Sequence, residues 1–428
     1  MGTRLAVFTP LPKLGLLIVD EEHDASFKQQ DGLRYSARDV AIFRAKYAGV
    51  PVILGSATPS LESYYNAISG RYLKLGLPSR AVKNAVLPTM RCIDTRAVKT
   101  KESFSEPVIA ALEKHLALNQ QSLVFINRRG YAPVLLCKSC GWTAVCHRCA
   151  SRLVVHLREK KLRCHHCGHQ ERFPGVCEEC GDQDIAPFGH GTQRVEDALV
   201  QRFPDARIMR IDRDSTSRKD AWQRMLKDIQ EHRVDILVGT QILAKGHDFP
   251  NLSLVVTLNS DASLFSTDFR ASERLFAQLM QVAGRAGRAD IPGEVLIQTE
   301  FPDHPLYHAL RQHDYDLLAQ TLLEERRTAG FPPFVYQVLL RAEAPKIATA
   351  LDFLAKAAAI AQAPKQVEVF DPVPAQMARL KGMERGYLLV QCRSRRKLQE
   401  FLAGWRIKLD TLRSYKVRWT LDIDPLEF

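Results

Sequence analysis

The apolar run Leu16-Leu17-Ile18-Val19 ends abruptly in Asp20-Glu21-Glu22-His23. In a doubly wound sheet, acids at the carboxyl end of a strand point into the ligand crevice. An aspartate there can hold Mg²⁺, and the glutamate after it can orient and deprotonate a water attacking a γ-phosphate. The plain alternative is a solvated turn; three consecutive acids followed by a histidine favour the site. Far downstream, Gln281-Val282-Ala283-Gly284-Arg285-Ala286-Gly287-Arg288 sets two arginines three apart among small residues. Forked guanidiniums match phosphate oxygens, and arginines supplied from a second lobe stabilise charge on a transferring phosphoryl group. Between them, the strand Ile236–Val238 feeds Thr240, Gln241, Lys245 and Asp248 towards the same crevice. Thr240 and Lys245 suit phosphates, and Asp248 suits a nucleotide hydroxyl or an arginine. Gly55-Ser56-Ala57-Thr58-Pro59 also follows a strand and offers small hydroxyls that could sense the acids.

Eight of the ten cysteines form four CxxC pairs: Cys137/Cys140, Cys146/Cys149, Cys164/Cys167 and Cys177/Cys180. Each turn presents two thiolates to one tetrahedral ion, so four turns imply two zinc ions. The gap of fourteen residues between the second and third pairs suits a ribbon hairpin. That favours nesting, with Cys146, Cys149, Cys164 and Cys167 on one ion and Cys137, Cys140, Cys177 and Cys180 on the other. Sequential pairing is the closest rival. The block carries eight basic residues against four acids. This is either a DNA patch or charge that neutralises the thiolates.

Phe27, Lys28, Arg34 and Tyr35 interleave aromatic and basic side chains, a pattern suited to stacking on bases while cations follow phosphates. The same residues could instead anchor a loop to a core. In the tail, Arg393, Arg395, Arg396 and Lys397 crowd the start of a helix, where the macrodipole disfavours cations. Arg395 and Gln399, one turn apart, are candidates for an acidic partner; a solvated basic face is the alternative.

These side chains need elements to carry them. Strands alternate with helices through residues 1–100 and again through 105–300, which implies two parallel α/β units. The strands are read at Leu14–Val19, Pro51–Leu54, Ser122–Ile126, Arg207–Ile211, Asp235–Val238, Leu254–Leu258 and Gly293–Gln298. Residues 78–101 read as a polar connection. From 330 to 428 the order becomes βαββαβ, a ferredoxin-like arrangement. A net charge of +12 favours a polyanionic partner, nucleic acid first. The aliphatic runs are strand-sized, far short of the ~20 residues that span a bilayer. A cytoplasmic, nucleoid-associated protein with no membrane partner is expected.

Taken in order, Asp20–Asp24, Gly55–Ser60, Gly239–Pro250 and Gln281–Arg288 resemble motifs II, III, V and VI of superfamily 2 helicases. With the CxxC block, Asn127–Tyr131, Gly189–Gln193, Arg210–Lys219 and Leu421–Pro425, the chain resembles the C-terminal two-thirds of the PriA family of replication-restart DNA helicases. The resemblance implies two RecA-like lobes, the first incomplete: its distal part at 1–100, and a second lobe at 105–136 and 185–328. A double-zinc insertion would fill 137–180, and a DNA- and partner-binding domain 330–428. It assigns Mg²⁺ coordination to Asp20 and catalytic base to Glu21. His23 would couple the nucleotide site to Ser56 and Thr58. Gln281, Arg285 and Arg288 would reach the γ-phosphate of ATP. It further implies 3′-to-5′ unwinding of forked and single-stranded DNA by a monomer. Expected partners are the acidic tail of single-stranded DNA-binding protein, primosome proteins and the replicative helicase with its loader. No G-x-x-x-x-G-K-[ST] phosphate loop occurs, and the family's would lie upstream of Met1. The chain is therefore expected to be a fragment that hydrolyses ATP negligibly alone. An ATPase-deficient zinc-stabilised DNA scaffold, or another zinc-bearing helicase of the superfamily, remains the alternative.

Overall fold

The computed structural model describes all residues except 78–85, 128–133, 149–151, 157–160, 165–167, 189–194, 212–220, 240–248, 250, 288–291, 381, 413 and 428. Its first unit is small. Strands β1 (Leu17–Val19) and β2 (Val52–Leu54) pair in parallel, with helix α1 (Ala37–Ala48) between them and α2 (Leu61–Ile68) after them. Ser36 caps α1 by accepting from the Asp39 amide, and Gly49 closes it in the left-handed region. Ser60 caps α2 through the Ser63 amide. Both are standard sequence signals for helix ends.

The second unit is a six-stranded, all-parallel sheet. Its strands are β3 (Thr89–Asp94), β4 (Gln121–Ile126) after helix α3 (Glu106–Ala117), β10 (Ile208–Ile211), β11 (Ile236–Gly239), β12 (Leu252–Leu258) and β13 (Glu294–Thr299). They lie in the order β10-β11-β4-β12-β13-β3. Both faces are buried, as a parallel sheet requires. On β4, Leu123 and Phe125 join one core while Val124 and Ile126 join the other. Helices α3 and α4 (Val195–Arg202) cover the second face; α5 (Ala271–Ala283) and α6 (Tyr315–Ala329) cover the first.

Here the structure corrects the reading of residues 78–101 as a connection. Strand β3 lies within that span and pairs with β13, so it closes the edge of the second sheet instead of belonging to the first. Its partner is some 200 residues away, and a parallel pairing at that separation leaves no local mark in the sequence.

Five short strands, β5 (Val134–Cys137), β6 (Val154–His156), β7 (Lys161–Arg163), β8 (Gln170–Arg172) and β9 (Ile185–Phe188), form the insertion as an antiparallel sheet ordered β8-β7-β6-β5-β9. The tail contains β14 (Tyr336–Ala344), α7 (Ile347–Ala359), β15 (Val367–Val369), β16 (Val373–Leu380), β17 (Met383–Cys392), α8 (Arg395–Thr411) and β18 (Arg418–Ile423). Its antiparallel order is β15-β17-β14-β18, with β16 also on β17. Both helices pack on one face, where the indole of Trp405 donates to the Ala357 carbonyl at 3.0 Å and ties them together. No helix among the described residues is long and apolar enough to cross a membrane.

Candidate nucleotide cleft and cysteine cage

At the end of β1, Asp20 and Glu21 are exposed, and Glu21 holds a left-handed backbone at φ 47 that turns the chain sharply. Glu22 turns the other way. It is 2% exposed, accepts from the Ser60 amide at 2.6 Å and the Ser63 hydroxyl at 2.9 Å, and pairs with Arg38 at 3.1 Å. Three adjacent acids thus divide into two that stay exposed and one that pins the segment after β2 to the end of β1.

His23 links the two α/β units. Its Nε2 lies 3.2 Å from the Gln281 amide nitrogen on α5 of the second unit, and its Nδ1 lies 2.7 Å from the Ser56 hydroxyl. The ring thus bridges the facing unit and Ser56, with the Glu21 carboxylate 3.5 Å from Nδ1. The Ser56 hydroxyl in turn accepts from the Thr58 amide at 2.9 Å. Arg285, half-buried, follows α5. Burial works against its charge, and the Glu21 carboxylate opposes that effect from across the cleft. The structure therefore brings Glu21, His23, Gln281 and Arg285 together, and Asp20 precedes them at the end of β1, its carboxylate accepting from the Glu21 amide at 3.0 Å. Arg288, Thr240, Lys245 and Asp248 lie outside the described residues.

A buried ionic lattice holds the two units together, and sequence reasoning missed it. Glu62 on α2 meets Arg270 at 2.7 Å and Arg326 at 4.0 Å; Arg326 meets Glu273 at 2.5 Å, and Glu273 accepts from the Leu61 amide at 2.9 Å. Burial alone would raise the Glu62 carboxyl, but Arg270, Arg326 and Arg38 outweigh it and hold it at about 2. Glu62 next to the Ser60 cap was a signal for the helix start; nothing local to Arg270 or Arg326 marked them.

Lys28 and Arg34, expected at a DNA contact, are engaged within the protein. Lys28 is 5% exposed and pairs with Asp422 of the tail at 3.1 Å, and Arg34 reaches the same carboxylate at 3.4 Å. Lys28 is thus shielded, while Arg34 is half-buried. Tyr35 packs edge-on against Phe8 at 4.9 Å, and Phe27 is half-buried in a short turn. Arg395 is likewise engaged: it pairs with Asp424 at 3.0 Å and lies over the Tyr336 ring at 4.6 Å, which offsets its poor position at the start of α8. Gln399 is exposed.

The cysteine block builds from local turns. In Cys137–Gly141 and Cys177–Gly181, the glycine amide donates to the first cysteine's carbonyl, with glycine φ of 78 and 76. Such angles favour a residue without Cβ. Pairing of β5 with β9 sets the two turns face to face, and the sulfurs of Cys137, Cys140, Cys177 and Cys180 all lie within 4.8 Å of one another. The Cys137–Cys180 and Cys140–Cys177 separations are 3.7 and 3.6 Å. Zn–S bonds of ≈2.3 Å imply tetrahedral edges of about 3.8 Å, so this donor set fits zinc. The Gly168 amide likewise donates to the Cys164 carbonyl at 3.0 Å, with Gly168 at φ 85, and Cys146 and Cys164 are buried in one apolar cluster. Cys149 and Cys167 lie outside the described residues.

Comparison with known proteins follows the same segments. Residues 327–426 match the primosomal protein N C-terminal domain, 176–290 the helicase conserved C-terminal domain, and 146–172 the PriA DNA helicase Cys-rich region domain. The replication restart protein PriA of Haemophilus influenzae is 44% identical, over 99% of this chain and 58% of that protein. The Bacillus subtilis protein of the same name is 39% identical over 94% of this chain and 50% of its own length. The Rickettsia conorii protein is 38% identical over 100% and 66%. The chain thus spans between half and two-thirds of these curated relatives, and across that span it belongs to the PriA family of replication restart proteins.

Proposed function

We propose that this chain supplies the second motor lobe, the distal part of the first lobe, the zinc module and the tail of an ATP-dependent DNA helicase that acts in replication restart. The observation that carries this reading is the His23 link, which ties the acidic strand end to both Ser56 and Gln281 of the facing unit. In it, Asp20 holds Mg²⁺, Glu21 is the base for the attacking water, and Arg285 with Arg288 neutralises charge developing on the γ-phosphate. His23 touches both units, so a change in either is relayed to the base. Buried Glu22 and half-buried Glu62 fix the geometry without touching nucleotide.

The cysteines hold two structural zinc ions, one on Cys137, Cys140, Cys177 and Cys180, the other on Cys146, Cys149, Cys164 and Cys167. Fully ligated Cys₄ zinc has no open position, so the module shapes a surface and does no bond chemistry. Its basic side chains and the +12 charge suit forked and single-stranded DNA. Translocation from 3′ to 5′, contact of Arg395 and Gln399 with the acidic tail of single-stranded DNA-binding protein, and loading of the replicative helicase follow the family.

The reading is tested by joining this chain to the upstream segment of the Haemophilus influenzae relative and measuring DNA-stimulated ATP hydrolysis. Glu21→Gln and Arg285→Ala should each lower kcat by about 10³, the scale of an arginine finger. Turnover unchanged by both substitutions would refute the assignment.

A further inference from the structure

The cysteine block touches two neighbours, and an arginine or a turn glycine makes each approach. Towards the second unit, the rings of Phe265 and Phe301 meet edge to face at 4.6 Å. Arg152 lies over Phe265 at 5.6 Å and donates to the carbonyls of Leu264 and Ser266, the latter at 3.1 Å. Gly141 faces the edge of Phe301, 3.5 Å from where a Cβ would stand. Asp261 builds this seat from both sides. The short helix Asp261–Leu264 leads into Phe265. The Asp261 carboxylate accepts from the Thr299 hydroxyl at 2.6 Å and the Glu300 amide at 2.8 Å, directly before Phe301. Towards the tail, Gly168 comes so near Val373 that a Cβ would stand 2.8 Å from its Cγ1. Arg148 pairs with Asp371 at 3.6 Å. Phe370 packs both on the block's apolar cluster and on the tail sheet's face opposite its helices.

We propose that the cysteine block is a strut that holds the tail to the second unit, with Arg152 as the positioning residue at one foot and Gly168 at the other. The proposal rests on the zinc reading above and adds to it what the zinc-bound shape keeps in place. Each foot depends on fit more than on area. A guanidinium can serve two carbonyls and a ring face at once. A glycine admits a neighbour that any Cβ would push away. Neither fit survives if the two feet shift relative to each other. Arg152 follows Cys149 by three residues and Gly168 follows Cys167 directly, so one Cys₄ site would join the segments that carry them. Cys146 and Cys164 of that set are buried in the cluster on which Phe370 packs. The tail is then expected to move with the second unit, whatever the first unit does.

The test is the distance, by electron paramagnetic resonance, between spin labels at Glu113 of α3 and Glu400 of α8 in the 428-residue chain prepared with zinc. Both positions are exposed, and labels carried on non-natural residues leave the cysteines untouched. One narrow distance is expected. Arg152→Met keeps the stem on Phe265 but removes the donors; it should broaden the distance while zinc content, followed by metal analysis, stays the same. Stripping the zinc with a chelator should broaden it too. A distance that stays narrow in either case, or is already broad in the unaltered zinc-loaded chain, overturns the strut and leaves the zinc sites standing. A folded chain that takes up no zinc overturns the zinc reading and the strut with it. Should Arg152→Met fail to fold, Gly168→Ala decides. It should broaden the distance, and adding Val373→Ala, which clears the 2.8 Å approach, should narrow it again. No broadening, or broadening that Val373→Ala does not reverse, contradicts the proposal.

Discussion

The cysteine cage and the cleft are built by opposite rules. The cage is assembled from two five-residue turns whose geometry is local: each glycine adopts its left-handed angle, each amide bonds within the turn, and one strand pair brings the turns together. The cleft is assembled from strand and helix ends some 260 residues apart, and only buried ion pairs and the His23 bridge hold its halves in register. A locally coded site stays closed. A site coded by tertiary packing can open, as the proposed motor function requires.

The largest effect is expected at the cage. Cys177→Ser should release one zinc per chain, measured by metal analysis. It should also expose β5 and β9 to proteolysis, because structural zinc contributes on the order of 10 kcal/mol to such modules. Retained zinc with unchanged protection would mean the four sulfurs do not form one site. Next in size is the cleft's ionic tie. Glu62→Ala leaves Arg270 and Arg326 short of a carboxylate, at an expected cost of about 3–5 kcal/mol in denaturant unfolding. A loss well under about 1 kcal/mol would show that the lattice does not bind the units.

Glu62 and Asp261 respond to pH in opposite directions. Glu62 is held at about 2, below its unfolded value, so its contribution is complete above about pH 4.5 and is lost as pH falls towards 2. Asp261, beyond the end of β12, pairs with no arginine among the described residues. Burial raises its carboxyl to about 6 despite bonds from Thr299 at 2.6 Å and Tyr307 at 2.7 Å. A raised acid favours the folded state only while protonated. Stability should therefore fall by about 3 kcal/mol as pH rises from about 4 to 6, and Asp261→Asn should flatten that slope. A slope of the same size in the variant would assign it to other groups. The smallest effect is expected at His23→Ala: about 1 kcal/mol of stability, as for one part-exposed hydrogen-bonded group. A loss several times larger, measured by thermal unfolding, would make His23 a structural pillar instead of a relay.

Legibility followed the same division. The CxxC turns declared their geometry through adjacent residues, and nesting followed from one gap length. The acidic strand end and the Gln281–Arg285 segment were visible because both lie where strands and helices of an α/β unit must end. Strand β3 was not, since its short run Met90-Arg91-Cys92-Ile93 acquires meaning only from β13. Lys28 and Arg34 carried the composition of a nucleic-acid loop; their pairing with Asp422 depends on how the tail packs, and no spacing encodes that. Glu22 and Glu62 were hidden differently, as ordinary acids whose burial is decided by neighbours far along the chain.

The account stands or falls on whether the end of β1 and the end of α5 share one cleft. The direct measurement is crosslinking of His23→Cys with Gln281→Cys by a short bismaleimide, each single variant serving as control. Efficient intramolecular crosslinking in the double variant alone is predicted from a side-chain separation of 3.2 Å. A folded, zinc-loaded double variant that both remains uncrosslinked and reacts fully at each thiol would contradict it.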